Sequence, residues 1–109
     1  MARIIYNVTV KVDPEIETEW LTWMQDVHIP EVLDTGCFTG CAIRKLRFPK
    51  DDDGSTYTFQ YHCARMADLD RYHNEFAAAL QRDHSERYRD RFVAFRTILE
   101  DVADLTATG

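Results

Sequence analysis

The sequence predicts a single α+β domain in the order β-α-β-β-α-β, a four-stranded antiparallel sheet with two helices over one face. Three observations carry this. Stretches 3–12 and 56–63 alternate with a period of two, and 91–100 is a strand-like run that is apolar on both sides. Stretches 16–27 and 66–80 carry apolar side chains at three- and four-residue spacing. The chain is 109 residues long and 45% hydrophobic, enough for one packed core.

In the first strand Ile4, Tyr6, Val8, Val10 and Val12 fall on one side, and Arg3, Ile5, Asn7, Thr9 and Lys11 on the other. That is the pattern of a strand with one buried face. Asp13-Pro14 then suits a helix start, with Asp as N-cap and Pro in the first turn. Glu15, Glu17 and Glu19 complement the positive end of the helix dipole. The stripe Ile16, Trp20, Trp23, Met24 and Val27 faces a core. The helix is expected to stop near His28, because Ile29 precedes Pro30 and is biased away from helix. Residues 31–36 read as a short turn of helix capped by Gly36.

Residues 37–48 read as a second strand, with Gly40 suited to a bulge. The polar stretch 49–55 contains Asp51-Asp52-Asp53-Gly54, a loop with strong turn chemistry. It lacks the alternating ligands and later Glu of a calcium loop. In the third strand Tyr57, Phe59, Tyr61 and Cys63 oppose Thr56, Thr58, Gln60 and His62. From Met66 the period becomes helical, with Leu69, Tyr72, His73, Phe76, Ala77 and Leu80 in one stripe. His84 to Tyr88 read as a separate further turn. In the fourth strand, residues 91–100, both sides are apolar, so its inner side, and with it the place of Arg96, stays open. The domain is expected to span residues 1–104, with a flexible tail over 105–109.

This order is the ferredoxin-like, or split βαβ, arrangement. Two helices can cover only one sheet face, so the other meets water or a partner. Ile5, Asn7, Thr9, Thr58, Gln60 and His62 on that face are too apolar for bulk water and too polar for a dry core. A homodimer joined through the open sheet face is therefore expected, with a shallow cleft for a small molecule.

The formal net charge of -6 argues against nucleic acid and against an anionic membrane surface. Arg44, Lys45 and Arg47 form a local basic cluster that reads as a solvated strand. Three cysteines do not suggest a secreted disulfide framework. No leader pattern opens the chain, and no apolar run reaches the roughly 20 residues of a membrane helix. The expected compartment is the cytoplasm.

Several segments carry a resemblance. Ile4-Ile5-Tyr6-Asn7-Val8-Thr9-Val10, Trp20-Leu21-Thr22-Trp23-Met24, His28-Ile29-Pro30-Glu31-Val32-Leu33, Thr35-Gly36-Cys37-Phe38 and Arg91-Phe92-Val93-Ala94-Phe95-Arg96-Thr97 resemble a family of small bacterial proteins known as domain of unknown function 4286. The resemblance covers nearly the whole chain and implies a ferredoxin-like fold, but no activity. More loosely, the chain resembles the dimeric α/β barrel proteins, in which two such subunits set their sheets face to face. Those include cofactor-free monooxygenases, haem-degrading enzymes, chlorite dismutases, stress-response proteins and muconolactone-type isomerases. One fold hosts many functions. The haem-degrading members imply an Asn on the first strand, which matches Asn7, and an axial His in the region of His73 or His84. The tryptophan they carry on the sheet has no counterpart here, where Gln60 and His62 stand. No cofactor is assigned.

The candidate site residues are accordingly Asn7, Gln60, His62 and Arg96 for a ligand, with His62, His28 and Asn7 as candidates for catalysis. His28 reads either as a general base near the rim of the cleft or as a cation at a helix end. His62 reads as acid, base or ligand contact, or as a half-exposed interface residue. Asn7 reads as a carbonyl-orienting group or as a polar contact across a dimer. His73 reads as a core-edge residue bonded to backbone, and His84 as a solvated helix end. No metal is expected: Cys37 and Cys41 share a side, but His62 and Cys63 point to opposite faces. The three thiols read as small buried apolar groups. Trp20, Trp23, Tyr57, Phe59 and Tyr61 read as core. No phosphate loop or nucleophile motif is present.

Three functions remain in play. The first is a homodimeric small-molecule binding or structural module without cofactor. The second is a cofactor-free oxygenase or isomerase acting on a small aromatic or carbonyl compound. There His62 or His28 would take a proton and Asn7 would hold the oxyanion. The third is a regulatory protein that docks a partner through its sheet edge or acidic surface.

Overall fold

The first strand alternates over its whole length, and it lies in the middle of the sheet. In the computed structural model, which describes residues 3–51 and 53–108, β1 (Ile4–Val12) pairs antiparallel with β3 (Ser55–Cys63) on one side and β4 (Phe92–Glu100) on the other. β2 (Gly40–Lys45) joins the outer side of β3, giving the order β2-β3-β1-β4. This is the ferredoxin-like α+β fold expected from the element order. Tyr6 faces Tyr61, Val8 faces Phe59 and Val10 faces Tyr57 across the central pair. All but half-buried Val8 are buried, and they form the floor of the core.

The first helix begins later and ends later than expected. Asp13 Oδ1 accepts the Glu15 N–H at 2.8 Å, and the Ile16 N–H bonds the Asp13 carbonyl at 3.2 Å. Asp13 thus builds the turn ahead of the helix rather than capping it, and α1 runs Glu17–Trp23. The helix does not stop at His28. It widens into a π-helical segment, Met24–His28, and continues as α2 (Ile29–Leu33). The Ile29 N–H bonds the Met24 carbonyl, five residues back. The cause lies at Pro30, whose ring would clash with the carbonyl four residues before it in a regular helix. A wider turn accommodates the ring without ending the helix. The helix ends at Leu33 with Asp34 as its C-cap, and Gly36, expected to be the cap, follows two residues later at a φ of +76°, the left-handed conformation that glycine favours.

β2 is shorter than the expected 37–48. Cys37 and Phe38 turn into the core instead, and Gly40 pairs in register with His62, without a bulge. The second helix is α3 (Met66–Glu75) followed by α4 (Ala77–Arg87), broken at Phe76. α4 absorbs His84 to Arg87, which the sequence placed in a separate turn.

Trp20 is fully buried against Phe59, with ring centroids 5.7 Å apart, and closes the helix layer over the sheet. Glu17 ties α1 to β3: Tyr57 donates its hydroxyl to Oε2 at 2.6 Å and Ser55 donates to Oε1 at 2.8 Å. These bonds hold the Glu17 carboxyl below its ordinary range, against some desolvation. Burial and the adjoining carboxylate push the Tyr57 phenol up to about 12. In the β2–β3 loop, Lys11 Nζ pairs with Asp53 at 2.7 Å; Asp52 lies outside the described residues. Among the described residues no helix is long and apolar enough to cross a membrane.

Candidate functional site

The β1–β4 register sets Val8 opposite Arg96 and Tyr6 opposite Ile98. Phe92, Ala94, Arg96 and Ile98 therefore share the helix-covered side, and Val93, Phe95, Thr97 and Leu99 share the open side. Arg96 does not stand with Asn7, Gln60 and His62. It lies across the sheet from them.

On the helix side the widened turn delivers His28, and α4 delivers Gln81 and His84. Together with Tyr6 and Arg96 they line a cavity of about 30 Å³ between sheet and helices, walled by Phe59, Tyr61 and Tyr72. That is room for one or two waters. His28 sits inside a continuous helix and is buried, so it is neither at the rim of an open-face cleft nor a cation at a helix end. Its ring stacks on Trp23 at 5.1 Å and lies 5.4 Å from His84.

His84 is also buried, contrary to its reading as a solvated helix end. Trp20 Nε1 donates to His84 Nε2 at 2.9 Å. An indole N–H only donates, so His84 Nε2 is unprotonated and the neutral ring carries its proton on Nδ1. The ring stacks flat on Phe92 at 4.0 Å. Burial pushes His28 down to about 4; the nearby Arg96 adds to the effect and Asp83 opposes it. Burial, then His28 and Arg96, push His84 down to about 3. Both rings are neutral near pH 7.

Among the described residues two buried polar atoms here make no well-formed hydrogen bond: the Tyr6 hydroxyl, which has only Arg96 and Gln81 near it, and His28 Nδ1. Burial raises the Tyr6 phenol above its ordinary value, while Arg96 and Gln81 pull the other way. The arrangement joins two neutral imidazoles, a phenol, an amide and one guanidinium around an apolar floor. Chemically it can donate to a carbonyl oxygen, accept from a hydroxyl and balance a negative charge.

The open face is a second polar set. Asn7 Nδ2 donates to Thr97 Oγ1 at 3.1 Å and Thr9 Oγ1 at 3.3 Å, leaving Asn7 Oδ1 buried and without a partner among the described residues. Arg44 donates to Gln60 Oε1 at 2.6 Å. His62 Nδ1 is buried without a partner among the described residues. The structure thus divides the expected site: Asn7, Gln60 and His62 remain together on the open face, and His28 and Arg96 join the cleft. It also separates Asn7 from His84, which the haem-degrading resemblance would bring to one pocket. His73 is exposed and bonds the Leu69 carbonyl at 3.2 Å.

The sequence reading missed Tyr6 and Gln81 as site residues, and it offered His84 only through the haem-degrading resemblance. A signal for His84 existed, since it continues the stripe Leu69, Tyr72, Phe76 and Leu80 at the next four-residue step. Among the described residues, no three His, Cys, Asp or Glu side chains converge on a point. Cys37 and Cys63 are buried, and burial pushes the Cys41 thiol up to about 12. A larger hollow of about 440 Å³ under the β2–β3 loop is lined by Lys45, Arg47, Lys50 and Asp51. No buried unpartnered atom points into it among the described residues, which makes it the weaker site.

Solved structures with the same architecture share little sequence. A dimeric ferredoxin-like protein from an uncultured marine organism superposes with a TM-score of 0.69 at 6% identity, over 96% of this chain and all of that one. A monooxygenase of Streptomyces coelicolor in complex with the ligand nanaomycin D gives 0.67 at 11%, over 96% and 92%. A DABB-family protein of Mesorhizobium loti with a ferredoxin-like fold gives 0.62 at 17%, over 89% and 96%. At these identities the likeness shows the fold alone. No curated protein matches the sequence. A family model does match, over residues 3–102, and the chain belongs to that family, the domain of unknown function DUF4286.

Proposed function

We propose that this chain binds a small aromatic or carbonyl compound in the cleft between sheet and helices, and does so as a homodimer joined through its open sheet face. One observation carries the binding reading: Tyr6 and His28 line one cavity, and among the described residues the Tyr6 hydroxyl and His28 Nδ1 are buried without a well-formed hydrogen bond. An unpaired buried polar group costs about 1–3 kcal/mol. Two in one lining are explained if a ligand oxygen or a displaceable water completes them. The cavity of about 30 Å³ is smaller than the roughly 300 Å³ of ordinary ligand sites. Entry therefore requires a wall to move, and Arg96, exposed at the mouth, is the wall with most freedom. The dimer reading is supported by Val93 and Phe95 on the open side of β4, and by Asn7 Oδ1 and His62 Nδ1 on the same face, buried without a partner among the described residues. Three free thiols suit a reducing compartment such as the cytoplasm.

Native mass spectrometry of freshly purified protein tests both halves. The expected result is an even-numbered assembly carrying a small mass released on denaturation. An NMR titration with 1-naphthol, a phenol of suitable shape, should move the His28 and His84 ring signals. A monomer would sink the dimer. Unmoved histidine signals, in protein that also carries no extra mass, would sink the cleft.

A second reading is a cofactor-free enzyme of the oxygenase or isomerase type. Its support is a neutral His28 beside Arg96 and Tyr6, which would take a proton from the ligand and hold the oxyanion left behind. Asn7 lies on the wrong face for that role. A base held at about 4 is far from the neutral range that proton abstraction favours, so binding is the stronger reading.

A further inference from the structure

The sheet has two edges, β2 and β4, and β4 is the longer of them. It is nine residues long, and the helices leave it largely uncovered. Val93 is 68% exposed and Phe95 63% on the open side, and Ile98 is 52% exposed on the helix side. Natural edges are blunted by Pro, Lys, bulges or short length. Phe92-Val93-Ala94-Phe95-Arg96-Thr97-Ile98-Leu99-Glu100 contains no Pro or Lys, and its register with β1 is unbroken.

The backbone shows which groups point outward. The Asp101 N–H bonds the Arg3 carbonyl at 2.9 Å, and the Asp13 N–H bonds the Arg91 carbonyl at 2.9 Å. Odd-numbered residues of β4 therefore direct their backbone groups toward β1. Antiparallel ladders alternate, so Ala94, Arg96, Ile98 and Glu100 direct theirs to the free edge. Such a row is a template on which another strand can pair in register.

We infer that the β4 edge pairs antiparallel with β4 of a second copy, about a two-fold axis at Ile98. Side-chain chemistry selects the register. Centring the axis on Arg96 sets Arg96 against its own copy, and centring it on Thr97 sets Glu100 against Ala94. Centring it on Ile98 sets Arg96 opposite Glu100 twice, with Ile98 against Ile98 between the pairs. Directly opposed side chains lie about 5 Å apart at Cβ, and opposite charges there attract while like charges repel. Among the described residues neither Arg96 nor Glu100 makes an ion pair within the chain. Pairing also brings Glu100 of the second copy beside Arg96 at the mouth of the cleft. That carboxylate would complete the site by fixing the side chain that covers it.

The edge contact is independent of the face-to-face dimer, and the two together make a tetramer. Native mass spectrometry of the full chain tests it. Glu100→Arg places like charges opposite each other twice and should halve the assembled mass. The double variant Arg96→Glu with Glu100→Arg restores opposite charges and should recover it. Ile98→Pro removes only an outward N–H, so it should halve the mass while leaving the circular dichroism spectrum unchanged. A mass unaffected by both Glu100→Arg and Ile98→Pro, or a double variant that stays halved, would overturn the edge pairing. Thr58→Arg, a charge set in the middle of the open face, tests the other dimer separately: it should halve the mass if the face pairs and leave the edge contact intact.

Discussion

The two faces of the sheet carry similar polar side chains and treat them differently. On the helix side His28 and His84 are buried, neutral and stacked among Trp20, Trp23 and Phe92. On the open side His62, Asn7 and Gln60 lie half-buried in rows of Thr and short polar bonds. The difference teaches where the chain holds its histidines against ionisation. Desolvation is the leading cause at both His28 and His84, and it follows from the helix layer alone.

The sharpest way to break that contrast is acid. In the unfolded chain both cleft histidines titrate near 6.5, and in the folded chain near 4 and 3. Between these values the unfolded state binds more protons. Stability is therefore full above about pH 6.5 and falls as the pH drops toward 4. At about 1.4 kcal/mol per unit of pH, each histidine removes roughly 2 kcal/mol by pH 5. Urea titrations across this range should show the loss. His84→Gln keeps an acceptor for Trp20 without the titration, and should flatten about half of it. A flat profile in the unmodified chain would show that the histidines are not desolvated.

His84→Ala at neutral pH comes next. It leaves the buried Trp20 N–H unpaired and opens a hole beside Phe92. The expected loss is roughly 3 kcal/mol in urea unfolding. Tyr6→Phe should move stability by less than about 1 kcal/mol, or raise it, because its hydroxyl makes only loose contacts with Arg96 and Gln81. The same change should weaken binding of a 1-naphthol probe by about tenfold, the worth of one hydrogen bond. Equal binding by Tyr6→Phe would remove the hydroxyl from the site. The smallest effect belongs to the open face: His62→Ala should change the stability of a single copy by less than about 0.5 kcal/mol. A larger loss would mean that this face packs more tightly than its exposure indicates.

Much of the fold was legible in the chain. Strict alternation in β1 and β3, with Pro and Gly at the breaks, fixes which side chains meet the helices, and the structure places Tyr6, Tyr57, Phe59 and Tyr61 there. The helix ends were less so. Pro30 was read as a stop because a proline conflicts with a regular helix, but a π-helical turn resolves the conflict locally and carries His28 inward.

The candidate site was legible only in part, for a geometric reason. Sequence alternation assigns a side chain to one of two faces, but β4 is apolar on both, so only the β1–β4 register could place Arg96. In the same way, the periodicity of α4 puts His84 in line with Leu80, but not against Trp20, which lies 64 residues earlier in the chain. By itself the sequence determined the order of the elements, the identity of the covered face and the acidic surface, because these depend on local periodicity and composition. Only the tertiary structure decided that Tyr6, His28, His84 and Arg96 share one cleft, because that depends on register and helix docking between segments remote in the chain.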